Sequence, residues 1–469
     1  MSETTGTRRS RPGFLRAVTR RFGTWPLFGV ILVWVVLALV VFTVLGWLWG
    51  EGPLWSWQRW LTNWRGAGVG AGSLDLVKVS LTTIGGIGGT GYLVIKYRER
   101  ASAERAERDA EQNRAEQRLL SGVQQLGSGS PQVRIAGVYS LADVADTYRG
   151  EYRQRVVSIL CGYLRTQRGE WRTIVNEQDG PEQSSEEKVY VSHDGAVEST
   201  VLEVLVRHLR KRCEKTKHRE AVTQLVEDDQ LWCDCTIDLH DAVLTEIADF
   251  RGATFTNDAN FGGATFNRYA GFGDATFTND ANFGGATFTN AANFRGATFT
   301  NDANFGGATF TNDANFEDAT FTNDANFGDA TFNRYAGFGG ATFTNAANFG
   351  DATFSFAIFR GATFTNAANF RGATFTNAAN FRGATFSFAI FRGATFSFAI
   401  FRGATFNHAA DFEHATFNRA ADFERATFNR ANFRGATFTR SAPPRGLPPG
   451  RVDEDGLPHG ARWADADDE

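Results

Sequence analysis

From Phe250 to Phe438 a phenylalanine returns at alternating intervals of five and six residues, the series opening at 250, 255, 261, 266, 272, 277 and 283. An 11-residue period invites a helix, because 11/3 lies close to the α-helical pitch. The angles rule it out. At ~100° per residue, five residues turn the chain by about 140° and six by about 240°, so the two Phe of one unit leave on different faces. Gly, Asn, Thr and Asp fill the rest of each unit and are poor in helix interiors. Extended chain fits instead. In Ala-Thr-Phe and Ala-Asn-Phe, alternation sends Ala and Phe to one side and Thr or Asn to the other. The following Arg-Gly, Gly-Gly or Thr-Asn pair supplies turn residues, some able to take positive φ. Each unit is a three-residue strand and a corner. Alone it cannot bury its Phe; stacked coils bury a continuous core.

Ala292-Asn293-Phe294-Arg295-Gly296 and Ala368-Asn369-Phe370-Arg371-Gly372 set a small residue, an Asn and a central Phe in one register. The segment resembles the pentapeptide-repeat family. That resemblance implies a right-handed quadrilateral β-helix, a β-solenoid with one pentapeptide per side, over residues 232–440. The sixth residue of the longer units (Asp258, Ala291 or Tyr335) departs from the family pattern and reads as a widened corner. ATFSFAIFRG, at 352–361, 384–393 and 394–403, lacks that residue, so a corner contracts while side-to-side register survives. About nine coils at ~4.8 Å each are expected.

The rest of the 469 residues must form other modules. Residues 1–23 are basic, with six arginines. Residues 24–50 are uncharged, long enough to cross ~30 Å of hydrocarbon, and bounded by Trp25, Trp47 and Trp49, so they read as a first transmembrane helix. No small-residue cleavage site follows, which argues against a signal peptide. After an external loop (51–73), residues 74–95 read as a second span, with Gly85 and Gly89 forming a small face for helix packing. Gly86-x-Gly88-x-x-Gly91 has dinucleotide-fingerprint spacing, but no βαβ pattern surrounds it, and a Gly-rich membrane helix explains it better. Basic residues before the first span and after the second (Lys96, Arg98, Arg100) put both termini and the repeats on the cytoplasmic side of the cell membrane. A charged helix (96–125) and a small all-α domain (126–231) follow, the latter as two helical hairpins with a linker near 176–188. Residues 441–469, rich in Pro, Gly and Asp, are expected to be disordered.

The net charge of −4 carries no global nucleic-acid signature. Cys161, Cys213, Cys233 and Cys235 are too sparse for a disulfide framework, and Cys233-Asp234-Cys235 has no second Cys or His pair at finger spacing, so neither metal nor cofactor is expected. The solenoid needs its interior for stability, which leaves outward positions for specificity. Residues 251–351 carry ten acids and four arginines; residues 352–440 carry four acids and ten arginines. In the basic half Arg360, Arg382 and Arg402 fall one coil apart, and Arg371, Arg392 and Arg434 do so on the opposite side, interrupted by Glu413. These columns either bind phosphates and anionic headgroups or make a soluble surface, the plainer reading. Phe356, Phe388 and Phe398 sit at corners, with Ile358, Ile390 and Ile400 outward; they either form an apolar patch for a partner or fold inward. No Ser-His-acid or other catalytic constellation occurs in the repeats, so no enzyme is expected. The preferred reading is a membrane-tethered scaffold for protein partners. The alternatives are a DNA mimic acting on gyrase, which the resemblance allows and the arginine half opposes, and binding of anionic lipid or nucleic acid. Thr-x-Thr pairs such as Thr254 and Thr256 would suit ice binding, which a tethered cytoplasmic protein disfavours.

Overall fold

The computed structural model describes residues 71–175, 186–212, 223–447 and 452–464, with six isolated helical positions between 33 and 44. The first expected span, 24–50, otherwise lies outside the described residues. Two compact units divide the chain, residues 1–113 and 114–469.

Helix α1 runs unbroken from Ala71 to Leu126, joining the expected second span to the charged helix. No helix of the described residues is long and apolar enough to cross a membrane. Residues 74–95 therefore do not make a span by themselves. Their five glycines and three threonines dilute the apolar side chains, and a Cβ added at Gly85, Gly86, Gly88, Gly89 or Gly91 would meet nothing within 4 Å. The GxGxxG spacing thus lies inside a helix and not at the strand-to-helix turn that a dinucleotide site needs.

In the second unit, α2 (Pro131–Tyr148), α3 (Gly150–Arg165) and α4 (Gly195–Leu209) pack together through Val138, Leu141, Val156, Leu160, Val201 and Leu205. The domain is not all-α. Between α3 and α4 lies an antiparallel pair, β1 (Gly169–Val175) and β2 (Glu186–Ser192), in which Trp171 faces Tyr190. The second expected helical hairpin is also incomplete: the described part of 219–229 holds only a 3-10 turn, Asp228–Gln230. There Glu227 and Gln230 form a capping box and the Gln224 side chain binds the Val226 carbonyl, local bonds that compete with a longer helix.

These helices close the first coil of the solenoid, and one apolar cluster runs from Leu119 to Leu457 without a gap. Glu198, fully buried on α4, accepts bonds from Arg168 (2.6 Å), the Thr245 amide (2.6 Å) and hydroxyl (2.8 Å), and the Glu246 amide (3.0 Å), so it ties helix to coil. His208 stacks on Trp232 at 3.9 Å, and the Arg210 guanidinium donates to the carbonyls of Asp249 and Arg251. The basic end of α4 thus begins as a cap on the first coil.

The solenoid has four sides, called A to D in chain order. Side A stacks ten parallel levels from Val243 through Thr265, Thr353, Thr374 and Thr395 to Thr437; coils are numbered 1 to 10 by these levels. Side B carries Ala270, Ala292 and their successors, side C Thr254 and Thr276, and side D Ala259 and Ala281. The alternation read from sequence holds. Ala and Phe of each unit are buried and the intervening Thr or Asn reaches the surface. Each Phe stacks on its copy one coil away, as Phe305 does on Phe283 and Phe327 at 4.8 Å. Rings of sides B and D meet edge to face across the centre, Phe294 lying 5.2 Å from Phe305.

Two of the four corners are tight turns, and only these use positive φ, at the Gly of Arg-Gly or Gly-Gly (Gly296, φ 66°) or at the Asp, His or Arg in its place (Asp318, φ 57°; His414, φ 57°; Arg425, φ 59°). The wider Thr-Asn corners do without it. Where a short ATFSFAIF unit stacks on a longer one, register slips only at the corner, between Phe354 and Ala357 for instance, and both flanking sides stay paired.

The tail is not disordered throughout. Arg462–Trp463 adds a parallel strand to Thr437–Phe438, Leu457 is buried, and the Arg440 guanidinium lies 6.0 Å from the Trp463 ring. Two apolar residues in a Pro- and Asp-rich segment suffice to cover the open end of the stack.

Candidate interaction surface

Side D carries an asparagine ladder. Asn260, Asn282, Asn304, Asn326, Asn348 and Asn369 each donate through Nδ2 to the Oδ1 one coil before, at 2.8–3.0 Å, starting from Asp238. Each Oδ1 also accepts the amide two residues ahead, as Asn304 does from Gly306 at 3.0 Å. The arrangement satisfies both ends of the side chain and repeats because the coil does. At Asp238 burial pushes the pKa up, but the hydrogen bonds and charge of His240 and Arg165 leave it below the ordinary value.

The ladder stops at Ile390, and on side B Ile358 and Ile400 likewise stand where Asn293, Asn315 and Asn380 do. In these units the corner also loses a residue and gains a phenylalanine. Phe356, Phe388 and Phe398 are 48, 44 and 37 % exposed, so they do not fold inward, and Ile358, Ile390 and Ile400 are half-buried beside them. The three rings do not form one patch. Phe356 (coil 6) and Phe398 (coil 8) share the corner between sides A and B, with Ala378 between them, whereas Phe388 lies on the opposite corner, between C and D. There His408 covers one face of Phe388 at 4.5 Å.

The arginine columns are real. Amides of Gly361 and Gly383 bind the carbonyls of Arg382 and Arg402, which places Arg360, Arg382 and Arg402 in one file at the turn between B and C. Gly372, Gly393 and His414 do the same with Arg392, Glu413 and Arg434, which sets Arg371, Arg392, Glu413 and Arg434 in file at the opposite turn. The columns differ in what occupies them. Arg402 pairs with Glu424 at 3.2 Å and Arg392 with Glu413 at 3.5 Å, whereas Arg360, Arg371 and Arg382 form no ion pair among the described residues.

A model of pentapeptide repeats matches the chain in overlapping stretches from 239 to 443. Residues 239–443 belong to the pentapeptide-repeat family. No curated protein matches the chain. Pentapeptide-repeat solenoids are structural and binding modules as a rule, and here too the interior is all core, so the variable chemistry is outward. In the acidic half that chemistry is a file of Asp258, Asp280, Asp302 and Asp324; the first three accept bonds from Asn279, Asn301 and Asn323 of the following coil.

Sequence reasoning placed Tyr335 at a widened corner and missed where its ring goes. Tyr335 folds over Gly337, where an added Cβ would lie 2.6 Å from its ring, and donates to Glu317 at 3.0 Å. Burial, then the Glu317 bond, pushes its phenol up to about 12. The signal was present: Tyr-Ala-Gly at 269–271 and 335–337 exchanges the outward Asn for Gly wherever Tyr precedes it. The thiols of Cys233 and Cys235 are pushed up to about 11 and about 12, chiefly by burial, and Cys161 to about 12 for the same reason. Among the described residues no His, Cys, Asp and Glu converge as metal ligands do.

Proposed function

We propose that this chain is a membrane-tethered scaffold whose pentapeptide-repeat solenoid presents coils 6–8 to a partner. One observation carries the reading: beyond Ile247 in the first coil, every large exposed hydrophobic side chain of the solenoid lies in coils 6–8, beside Arg360, Arg371 and Arg382, which form no ion pair among the described residues. A surface serving only solubility has no use for exposed Phe beside files of like charge. Photo-crosslinking residues placed at 356, 388 and 298 in the intact cell membrane test it. Adducts from 356 or 388 and none from 298 are expected; adducts from 298 alone would place the working surface in the acidic half.

The tether is the uncharged stretch 24–50. The cytoplasmic side suits the solenoid because basic residues flank 24–50 and 74–95 on the outer ends. That placement requires 74–95 to cross packed against another helix through its glycine face, since it is not apolar enough alone. A reporter fused after Gly127 should be active in the cytoplasm; an exported reporter refutes the two-span topology.

A further inference from the structure

We propose that the A–B corner of coils 6–8 is an edge that docks on an anionic bilayer surface, with Phe356 and Phe398 entering the boundary between headgroups and acyl chains. The proposal rests on coils 6–8 being the working surface and names what that surface meets. The edge is convex. Phe356 and Phe398 stand on its crest two coils apart, about 10 Å by the ring stacks of side A beneath them. Arg334 and Arg419, both exposed, occupy the same corner one coil before and one coil after, so cations bracket the rings along the rod. Across the rod, the two neighbouring corners are the turns that carry Arg360 and Arg382 on one flank and Arg371 on the other. A rod resting on this corner therefore lowers two rings first and brings unpaired guanidinium groups to the level of the phosphates on both shoulders. An apolar crest with basic shoulders is what an anionic interface retains: rings at the acyl boundary, arginines extended along it with their heads in the headgroup layer.

Single-stranded nucleic acid is the other polyanion with a claim, since arginine and aromatic side chains also hold bases. Two features count against it. A base needs an open ring face, and the Asn377 side chain, bound to Ser355 Oγ at 3.0 Å, stands at the corner between Phe356 and Phe398. Strand-binding sites also track the backbone in a groove, and this edge is a ridge.

Residues 114–469 form a compact unit with one continuous core closed at both ends, so they serve as the test protein. Co-sedimentation with extruded vesicles compares phosphatidylcholine alone with mixtures in which roughly a third is phosphatidylglycerol, a range over which surface charge governs basic clusters. Binding to the anionic vesicles only, weakened by salt, is expected. Phe356→Ser with Phe398→Ser, and separately Arg360→Gln with Arg371→Gln and Arg382→Gln, should each lower the apparent affinity roughly tenfold or more at unchanged melting temperature. Phe388→Ser, on the opposite corner, should leave it unchanged. Equal binding by the parent and both corner variants overturns the proposal, as does an equal loss with Phe388→Ser. Should the parent ignore vesicles yet bind oligothymidylate in a way both variants abolish, the lipid assignment falls while the working surface stands. If no ligand distinguishes parent from variants and 356 and 388 give no adducts in the cell, both readings fall.

Discussion

Phe305 sits at the middle of the ring stack, and Phe305→Ala tests whether that stack holds the rod together. The side chain is fully buried. It stacks on Phe283 and Phe327 at 4.8 Å and meets Phe294, Phe316 and Phe299 edge to face at 5.2, 5.3 and 5.8 Å. Truncating a core Phe costs about 3–5 kcal/mol, and the cost depends on how far the site can collapse. Here it collapses little, because each neighbouring ring is held by its own copies above and below, so the upper part of that range, about 4–5 kcal/mol, is expected. Phe356→Ala, exposed and without a ring partner among the described residues, should cost under about 1 kcal/mol. Urea unfolding of residues 114–469, followed by circular dichroism and read with native-state hydrogen exchange, gives both numbers and shows whether coils on either side of the lesion still protect each other. If Phe305→Ala costs no more than Phe356→Ala, the stack is not what stabilises the rod.

Glu198→Ala leaves Arg168 buried without its partner, so about 3–5 kcal/mol should be lost and exchange should rise first in the helical cap and coil 1; a loss confined to the far end would contradict the cap. Asp238 holds a pKa below its ordinary value, so its contribution is present above that ordinary value and lost as pH falls through the depressed one; acid should therefore loosen the foot of the asparagine ladder, and in Asp238→Asn that part of the acid dependence should vanish. Removing residues 441–469 uncovers the last coil at Phe438, and sedimentation velocity should show concentration-dependent self-association; a strictly monomeric truncation would mean the tail strand is no cap.

Period and composition in the repeats were enough to place Ala, Thr, Asn and Phe on their correct sides, because alternation along a strand leaves no freedom once the core face is known. The files of Arg360, Arg382 and Arg402 followed from counting 22 residues per coil and subtracting one for each short unit, two of which fall between Arg382 and Arg402. Elements fixed by single contacts were less legible. Trp463 and Leu457 carry the tail cap amid residues of disordered-looking composition. The β1–β2 pair rests on Trp171 facing Tyr190 across a linker that reads as polar. Neither leaves a periodic trace. The same count puts Phe388 opposite Phe356 and Phe398, since the three rings lie four residues before Arg392, Arg360 and Arg402.

The short corners bear on why coils 6–8 differ from the rest. An Asn on side B or D makes its own bonds: Asn369 reaches the coil before at 2.8 Å and accepts the Arg371 amide at 3.0 Å, and Asn380 accepts the Arg382 amide at 3.0 Å. Ile358, Ile390 and Ile400 can do neither, so each forgoes bonds worth about 0.5–1.5 kcal/mol apiece and leaves the amide of Arg360, Arg392 or Arg402 without that acceptor. Half-burial of one Ile recovers part of this, but the adjoining Phe remains 37–48 % exposed and recovers little in the isolated rod. Replacing Phe356-Ala-Ile358 by Ala-Ala-Asn, the pattern at 378–380 in the next coil, would restore polar closure at the same backbone register. Three such units occur, all in coils 6–8 beside Arg360, Arg371 and Arg382, and two of them repeat on a single corner. The stability they give up is regained only when the rings leave water, which is the condition an acyl boundary or an apolar partner supplies.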